Sequence, residues 1–137
     1  MLPLLALLLL LALPSLADAG RHKPKPGTLE ISGGRGVILL RIRGSVIGFV
    51  ERGRVIVAKK GDEGGEQTYN GKNIKFRAVD GGYQIMIRGT GIDLSASGRG
   101  QVTLVGQKRG DTGEFSLNGD DPQPLPRRAT TLQISAP

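Results

Sequence analysis

Most of the chain is a succession of short runs in which apolar and polar side chains alternate and glycine ends each run. Ile38, Leu40 and Ile42, for example, stand between Leu39, Arg41 and Arg43. Side chains two residues apart share one face of a β-strand, so this alternation predicts strands with an apolar face. Glycine beside Asp, Asn or Ser is typical of the turns between strands, and the chain has 22 glycines.

The alternating runs predict about ten short strands and no helix. Their expected positions are 28–32, 36–43, 45–50, 53–60, 72–79, 82–88, 91–96, 100–107, 113–118 and 130–135. Many short strands at regular spacing are typical of a sandwich or barrel. We therefore predict an all-β fold, an antiparallel β-sandwich or flattened barrel, with 121–126 as an extended link to the last strand.

An internal repeat supports two pseudo-symmetric halves. Residues 36–54 align without a gap on 81–99, and seven of the 19 positions are identical. The shared residues include Ile42 with Ile87 and Ile47 with Ile92. Two copies are too few for a solenoid, so the repeat predicts two related halves of one core.

The N-terminus has the pattern of an export signal. A run of Leu and Ala about 12 residues long precedes the small residues around Ala19, which is typical of a cleaved signal peptide. We predict a signal peptide at 1–19, a basic flexible leader at 20–27 and one glycine-rich β domain at 28–137; an uncleaved N-terminal anchor is the alternative. The run is too short to cross a membrane as a helix, and the sequence contains no second long apolar segment. The expected location is outside the cytoplasm, in the periplasm or at the cell surface.

The absence of cysteine narrows both origin and chemistry. Without Cys there is no disulfide, thiol nucleophile or Cys-ligated metal. A secreted protein without disulfides is ordinary in bacteria, which favours a bacterial origin. The segment Gly89–Gly100, GTGIDLSASGRG, resembles one that recurs in small exported bacterial β proteins of no assigned activity. That resemblance implies a β fold and no substrate, cofactor or site.

No catalytic constellation is visible. His22 is the single histidine and precedes the predicted domain, so a Ser-His-Asp triad or multi-histidine metal site inside the fold is excluded. Asp93 differs from the other carboxylates because it stands within a predicted strand, where the aligned repeat has Gly48. It is either a buried carboxylate of a hydrolase, held by Arg43, Arg88 or backbone donors, or an outward-facing polar residue. We expect a non-enzymatic domain with no cofactor.

The predicted mature terminus offers a metal-binding alternative. Cleavage after Ala19 would expose Gly20, Arg21 and His22. A free amine, two amides and an imidazole supply four nitrogens in one plane, an arrangement that suits Cu(II) or Ni(II). The alternative is a histidine without a metal role in a basic tail.

The basic charge is the main indication of function. The chain has 19 Lys and Arg against 12 Asp and Glu, a net charge of +7. Five cations are predicted on the polar sides of their strands: Arg41, Arg43, Lys75, Arg77 and Arg88. If those strands are neighbours, the five form one cationic face that binds an anionic envelope polymer or lipid surface. Few aromatic residues remain to stack bases, which argues against nucleic acid. The alternative is a charged surface that serves solubility alone.

Overall fold

The regular structure of the protein consists entirely of strands. The computed structural model describes residues 25–61 and 65–136, and these contain no helix. The five strands are β1 (Gly27–Lys59), β2 (Glu66–Gly106), β3 (Glu114–Leu117), β4 (Gln123–Pro124) and β5 (Thr130–Ile134). The prediction of an all-β fold is therefore confirmed.

The strands form one antiparallel, strongly curled half-barrel sheet in the order β4-β3-β1-β2-β5. β1 has 33 residues and β2 has 41, whereas strands in globular proteins usually have about 3–10. The ten short strands are therefore not confirmed. Several glycines that the pattern marks as turns are instead bends inside two continuous strands.

The register explains how two long strands build most of the sheet. Residues 36–44 of β1 pair with 81–89 of β2 on one side and with 98–106 on the other. Residues 46–50 likewise pair with 74–78 and with 92–96. Each long strand therefore lies against more than one segment of the other strand. Such pairing requires the sheet to curl back on itself, and the curl encloses the inner face.

Paired glycines stand at the bends. Gly44 lies opposite Gly98, and Gly53 lies opposite Gly89. A Cβ on Gly44 would collide with the carbonyl oxygen of Ser97, and a Cβ on Gly98 would collide with that of Arg43. The two backbones can approach this closely only because neither residue has a side chain.

The core occupies the inner face of the curl. The predicted inward residues Ile38, Leu40, Ile85 and Ile87 are fully buried. Phe76 and Tyr83 are also buried, and the Tyr83 hydroxyl donates a 2.7 Å hydrogen bond to the carbonyl of Val79. Burying a large apolar side chain contributes about 1.5–3 kcal/mol, so this alternating face supplies the main stabilisation.

The C-terminal segment closes one end of the sheet. Thr112 is buried, and its hydroxyl donates a 2.9 Å hydrogen bond to the carbonyl of Leu125. Arg127 donates from its guanidinium to the carbonyls of Gln107 and Gly110. The predicted link at 121–126 includes β4, which pairs with β3. This segment is therefore fastened by specific side chains.

The N-terminal predictions fall mostly outside the described residues. This applies to the signal peptide at 1–19 and to residues 20–24 of the leader. Of the remaining leader, Lys25 forms an isolated antiparallel bridge with Ala136. Gly27 is buried and begins β1, one residue before the predicted start of the domain.

Candidate functional site

The five predicted cations occupy two separate parts of the sheet. Arg41 and Arg43 lie on 36–44, which pairs with the segment that carries Arg88. Lys75 and Arg77 lie on the segment that pairs with 46–50. All five side chains are exposed, as predicted. They do not form one face, because the strand 72–79 is not a neighbour of 36–43.

Arg41 and Arg43 meet other polar groups across the sheet. Arg41 lies opposite Gln84 on one side and Gln101 on the other. Arg43 lies opposite Gly82 and Arg99. Arg88 is four residues beyond Gln84, or roughly 13 Å at about 3.3 Å per residue. Arg88 therefore stands apart from the other two arginines.

A polar depression of about 400 Å³ lies where Arg41 and Arg43 project; we call it the basic pocket. It is lined by Arg41, Ile42, Arg43, Lys60, Gly82, Arg99, Gly100, Gln101 and Gln133. Four of these nine residues are cationic, and among these described lining residues there is no carboxylate. The surface is open and basic rather than a closed active site.

Arg99 and Lys60 were not predicted from the sequence as members of this pocket. Arg99 follows a glycine that reads as a turn, and only its register opposite Arg43 brings it here. The backbone amide of Lys60 donates a 2.9 Å hydrogen bond to the carbonyl of Gly82, which holds the end of β1 beside the pocket. No local pattern predicts either contact, because both depend on how the sheet curls.

The donor set of the basic pocket suits an oxyanion. Guanidinium groups donate in a fixed fork that matches phosphate, sulfate or carboxylate, and an ammonium adds a compact charge. The amides of Gln101 and Gln133 lie on neighbouring strands in register and can donate as well. The described lining therefore offers positive charge and hydrogen-bond donors.

Asp93 is an exposed residue on the outer face. Its Oδ1 accepts a 2.9 Å hydrogen bond from the backbone amide of Gly33. The outward-facing alternative therefore describes Asp93, and the donor that holds it is the backbone rather than Arg43 or Arg88. As a hydrolase carboxylate it would act from an open surface.

The gapless repeat alignment places equivalent residues on opposite faces after the first strand. Ile47 is 56% exposed, whereas its aligned partner Ile92 is fully buried. Gly91, with a φ of 61°, adds one residue before Ile92. A shift of one residue turns every following side chain to the other face. Gly48 therefore corresponds in burial to Leu94, its partner in the sheet, and not to Asp93.

A second depression, of about 790 Å³, lies on the outer face over 46–50; we call it the apolar groove. Ile47 and Phe49 line its middle. The register places Glu30 and Asp93 on one side and Lys75 and Arg77 on the other. The apolar groove therefore separates an acidic border from a basic one.

Metal binding has no support in the described part of the chain. Across 25–61 and 65–136, no three His, Cys, Asp or Glu side chains are grouped so that they could hold a metal ion. The predicted Cu(II) or Ni(II) ligands Gly20, Arg21 and His22 lie outside these residues. Over the same residues, no helix is long and apolar enough to cross a membrane.

Comparisons with known proteins give no relative for this chain. No family model matches it, and neither the curated proteins nor the solved structures include a significant match.

Proposed function

We propose that this chain is an exported, non-enzymatic β protein that binds an anionic polymer of the cell envelope through the basic pocket. The observation that carries the proposal is the convergence of Arg41, Arg43, Lys60 and Arg99 around one open depression. These residues come from three distant parts of the sequence. Their assembly concentrates positive charge at one site.

A repeating polyanion matches this site better than a small neutral ligand. The depression is open, and Arg41, Arg43 and Lys60 are exposed, so a chain can lie across it without entering a cavity. Successive anionic groups of a polymer can meet successive cations. The net charge of +7 adds long-range attraction that draws polyanions to the surface.

The test is binding of the purified protein to dextran sulfate and poly(glycerol phosphate), with neutral dextran as the reference. The decisive variant is R41Q/R43Q/K60Q. Each lysine or arginine near an anionic surface contributes about 1 kcal/mol. Removing three should therefore weaken binding to the polyanions about 100-fold at low salt, because every 1.4 kcal/mol is about tenfold. Wild-type binding should also fall steeply with added salt.

The matched control is K108Q/R109Q/R128Q, which removes the same charge from three exposed positions elsewhere. We expect this control to bind within about threefold of wild type. Equal losses in the two triple variants would assign the binding to net charge alone. Retention on none of the anionic probes would overturn the proposal.

We also infer that the curled sheet is a flattened sandwich made of two related halves. One layer would contain 27–31, 92–96, 46–50 and 74–78, and the other 98–106, 36–44, 81–89 and 53–58. The pairing registers support this grouping, because among these eight segments every pair except Gly27 with Gly98 joins two segments of the same layer. Leu40 moreover pairs with Ile85, the residue 45 positions later, as a two-fold relation between the halves requires.

A further inference from the structure

Among the described residues, one edge of the sheet is paired on one side only. Residues 66–78 of β2 pair with 46–58 of β1 and, in the described part of the chain, with no other segment. An unpaired edge presents backbone N–H and C=O groups that can accept another strand. We call residues 74–78, the half of this edge beside the apolar groove, the open edge.

The open edge has a counterpart that is covered. Residues 27–31 pair with 94–98, and residues 74–78 pair with 46–50. The two pairings have the same register to within one residue. Leu29 and Ile31 correspond to Ile74 and Phe76, and all four are buried. Glu30 corresponds to Lys75, and both are exposed. The two edges therefore have the same geometry but opposite charge.

In the covered counterpart, β3 is the strand that pairs with the edge. Leu117 lies opposite Leu29, and Phe115 lies opposite Ile31. Both β3 residues are partly buried and pack against the core. Ser116 lies opposite Glu30. An occupant of this kind thus alternates apolar residues facing inward with polar residues facing outward.

We propose that the open edge accepts an extended acidic segment of a partner protein as an additional antiparallel strand. Its apolar side chains would lie beside Ile74 and Phe76, as Leu117 and Phe115 of β3 lie beside Leu29 and Ile31. Its acidic side chains would lie beside Lys75 and Arg77, which are exposed on the outer side. This proposal concerns a surface distinct from the basic pocket and does not depend on polymer binding.

Charge argues for an acidic partner over a second copy of this chain. Antiparallel pairing of two open edges would bring Lys75 and Arg77 of one copy close to those of the other. Like charges on facing strands are destabilising. Lysine on an edge also serves simply to prevent aggregation. The adjacent apolar groove favours a binding role, because Ile47 in its lining is 56% exposed.

The test uses a fluorescent peptide of sequence DEFELD, with blocked ends, and the full chain. We expect fluorescence polarisation to show binding, and hydrogen exchange to show new protection of those amides of 74–78 that face away from β1. The same peptide with Lys in place of its acidic residues should not bind. N-methylation of the peptide amides that face the edge should abolish binding, while N-methylation of the alternate amides should not.

The variant K75Q/R77Q should weaken peptide binding about tenfold, since each exposed ion pair contributes modestly. The control K108Q/R109Q should leave peptide binding unchanged. The variant R41Q/R43Q/K60Q should also leave it unchanged, and this result separates the present proposal from the function of the basic pocket.

Two groups of results would overturn the proposal. Peptide binding without protection of 74–78, or equal binding of both N-methylated peptides, would show that no strand is added. If the amides of 74–78 that face away from β1 are protected before peptide is added, the edge is already covered. A concentration-dependent dimer in sedimentation would then identify a second copy as the cover, and a monomer would identify the chain itself.

Discussion

Gly98 shows why single residues matter at the bends of this sheet. It has a φ of 151°, and a Cβ at this position would collide with the backbone of Arg43 and Gly44. The sequence marks it only as a turn residue. The structure instead makes it a contact point between two strands.

We predict that Gly98→Ala lowers the free energy of unfolding by about 2 kcal/mol or more, because the added methyl group must displace the opposite backbone. Urea titration followed by circular dichroism measures the change. Gly65→Ala is the matched control, because a Cβ there meets no atom within 4 Å. A Gly98→Ala protein as stable as the control would show that the strands do not approach this closely.

Gly91 illustrates a second effect of one residue. By adding a residue at positive φ, it turns Ile92, Leu94 and Ala96 inward and Asp93 outward. The alternation inside 91–96 was readable from the sequence. The sequence did not show that the inward face of this segment is offset by one residue from that of the first repeat. A gapless alignment carries no information about a bulge.

At the scale of elements, the C-terminal segment depends on Thr112. Its buried hydroxyl donates to the Leu125 carbonyl, while its backbone carbonyl accepts a 3.0 Å hydrogen bond from the amide of Arg35. These contacts join the loop before β3 to β1 and to the segment after β4. In the sequence, Thr112 is a polar residue between aspartate and glycine, and this pattern does not predict the role.

We predict that Thr112→Val destabilises the protein by about 1–3 kcal/mol, because the shape is kept while the Leu125 carbonyl loses its partner. Denaturant unfolding measures the loss, and hydrogen exchange should show faster opening of the amides of Gly106 and Leu125. Thr68→Val, at an exposed position, should change stability by less than about 0.5 kcal/mol. A Thr112→Val protein with unchanged exchange would assign the closure to other contacts.

At the scale of the whole molecule, β1 and β2 contribute to every part of the core. Residues 36–44 and 46–50 belong to one continuous strand, yet they pair with four different segments of β2. Loss of one segment would expose the inner face of the others. The sheet therefore has no part that could remain folded after another has opened.

We predict a single cooperative unfolding transition. The chain has no Trp, so the tyrosine near-ultraviolet signal, dominated by buried Tyr83, reports tertiary packing. Its midpoint should coincide with that of the far-ultraviolet signal of the strands. Two separate midpoints would instead show that the halves of the curled sheet unfold independently.

The sequence by itself determined the direction of most side chains. Alternation made Leu40, Ile85 and Phe76 inward and Arg41, Arg43 and Lys75 outward, since this depends only on the geometry of a single strand. It also determined the all-β class and the glycine positions at which the chain changes direction. These properties are local, so the pattern was sufficient to predict them.

The tertiary structure alone decided which segments are neighbours. It separated Lys75 and Arg77 from Arg41 and Arg43, brought Lys60 and Arg99 into the basic pocket, and left one edge of β2 open in the described part of the chain. Strand pairing depends on curl and register over sequence distances of up to 88 residues, as between Leu29 and Leu117. The apolar face of each segment could pack against several other segments of the chain. The pairing that forms is the one that closes a single common core.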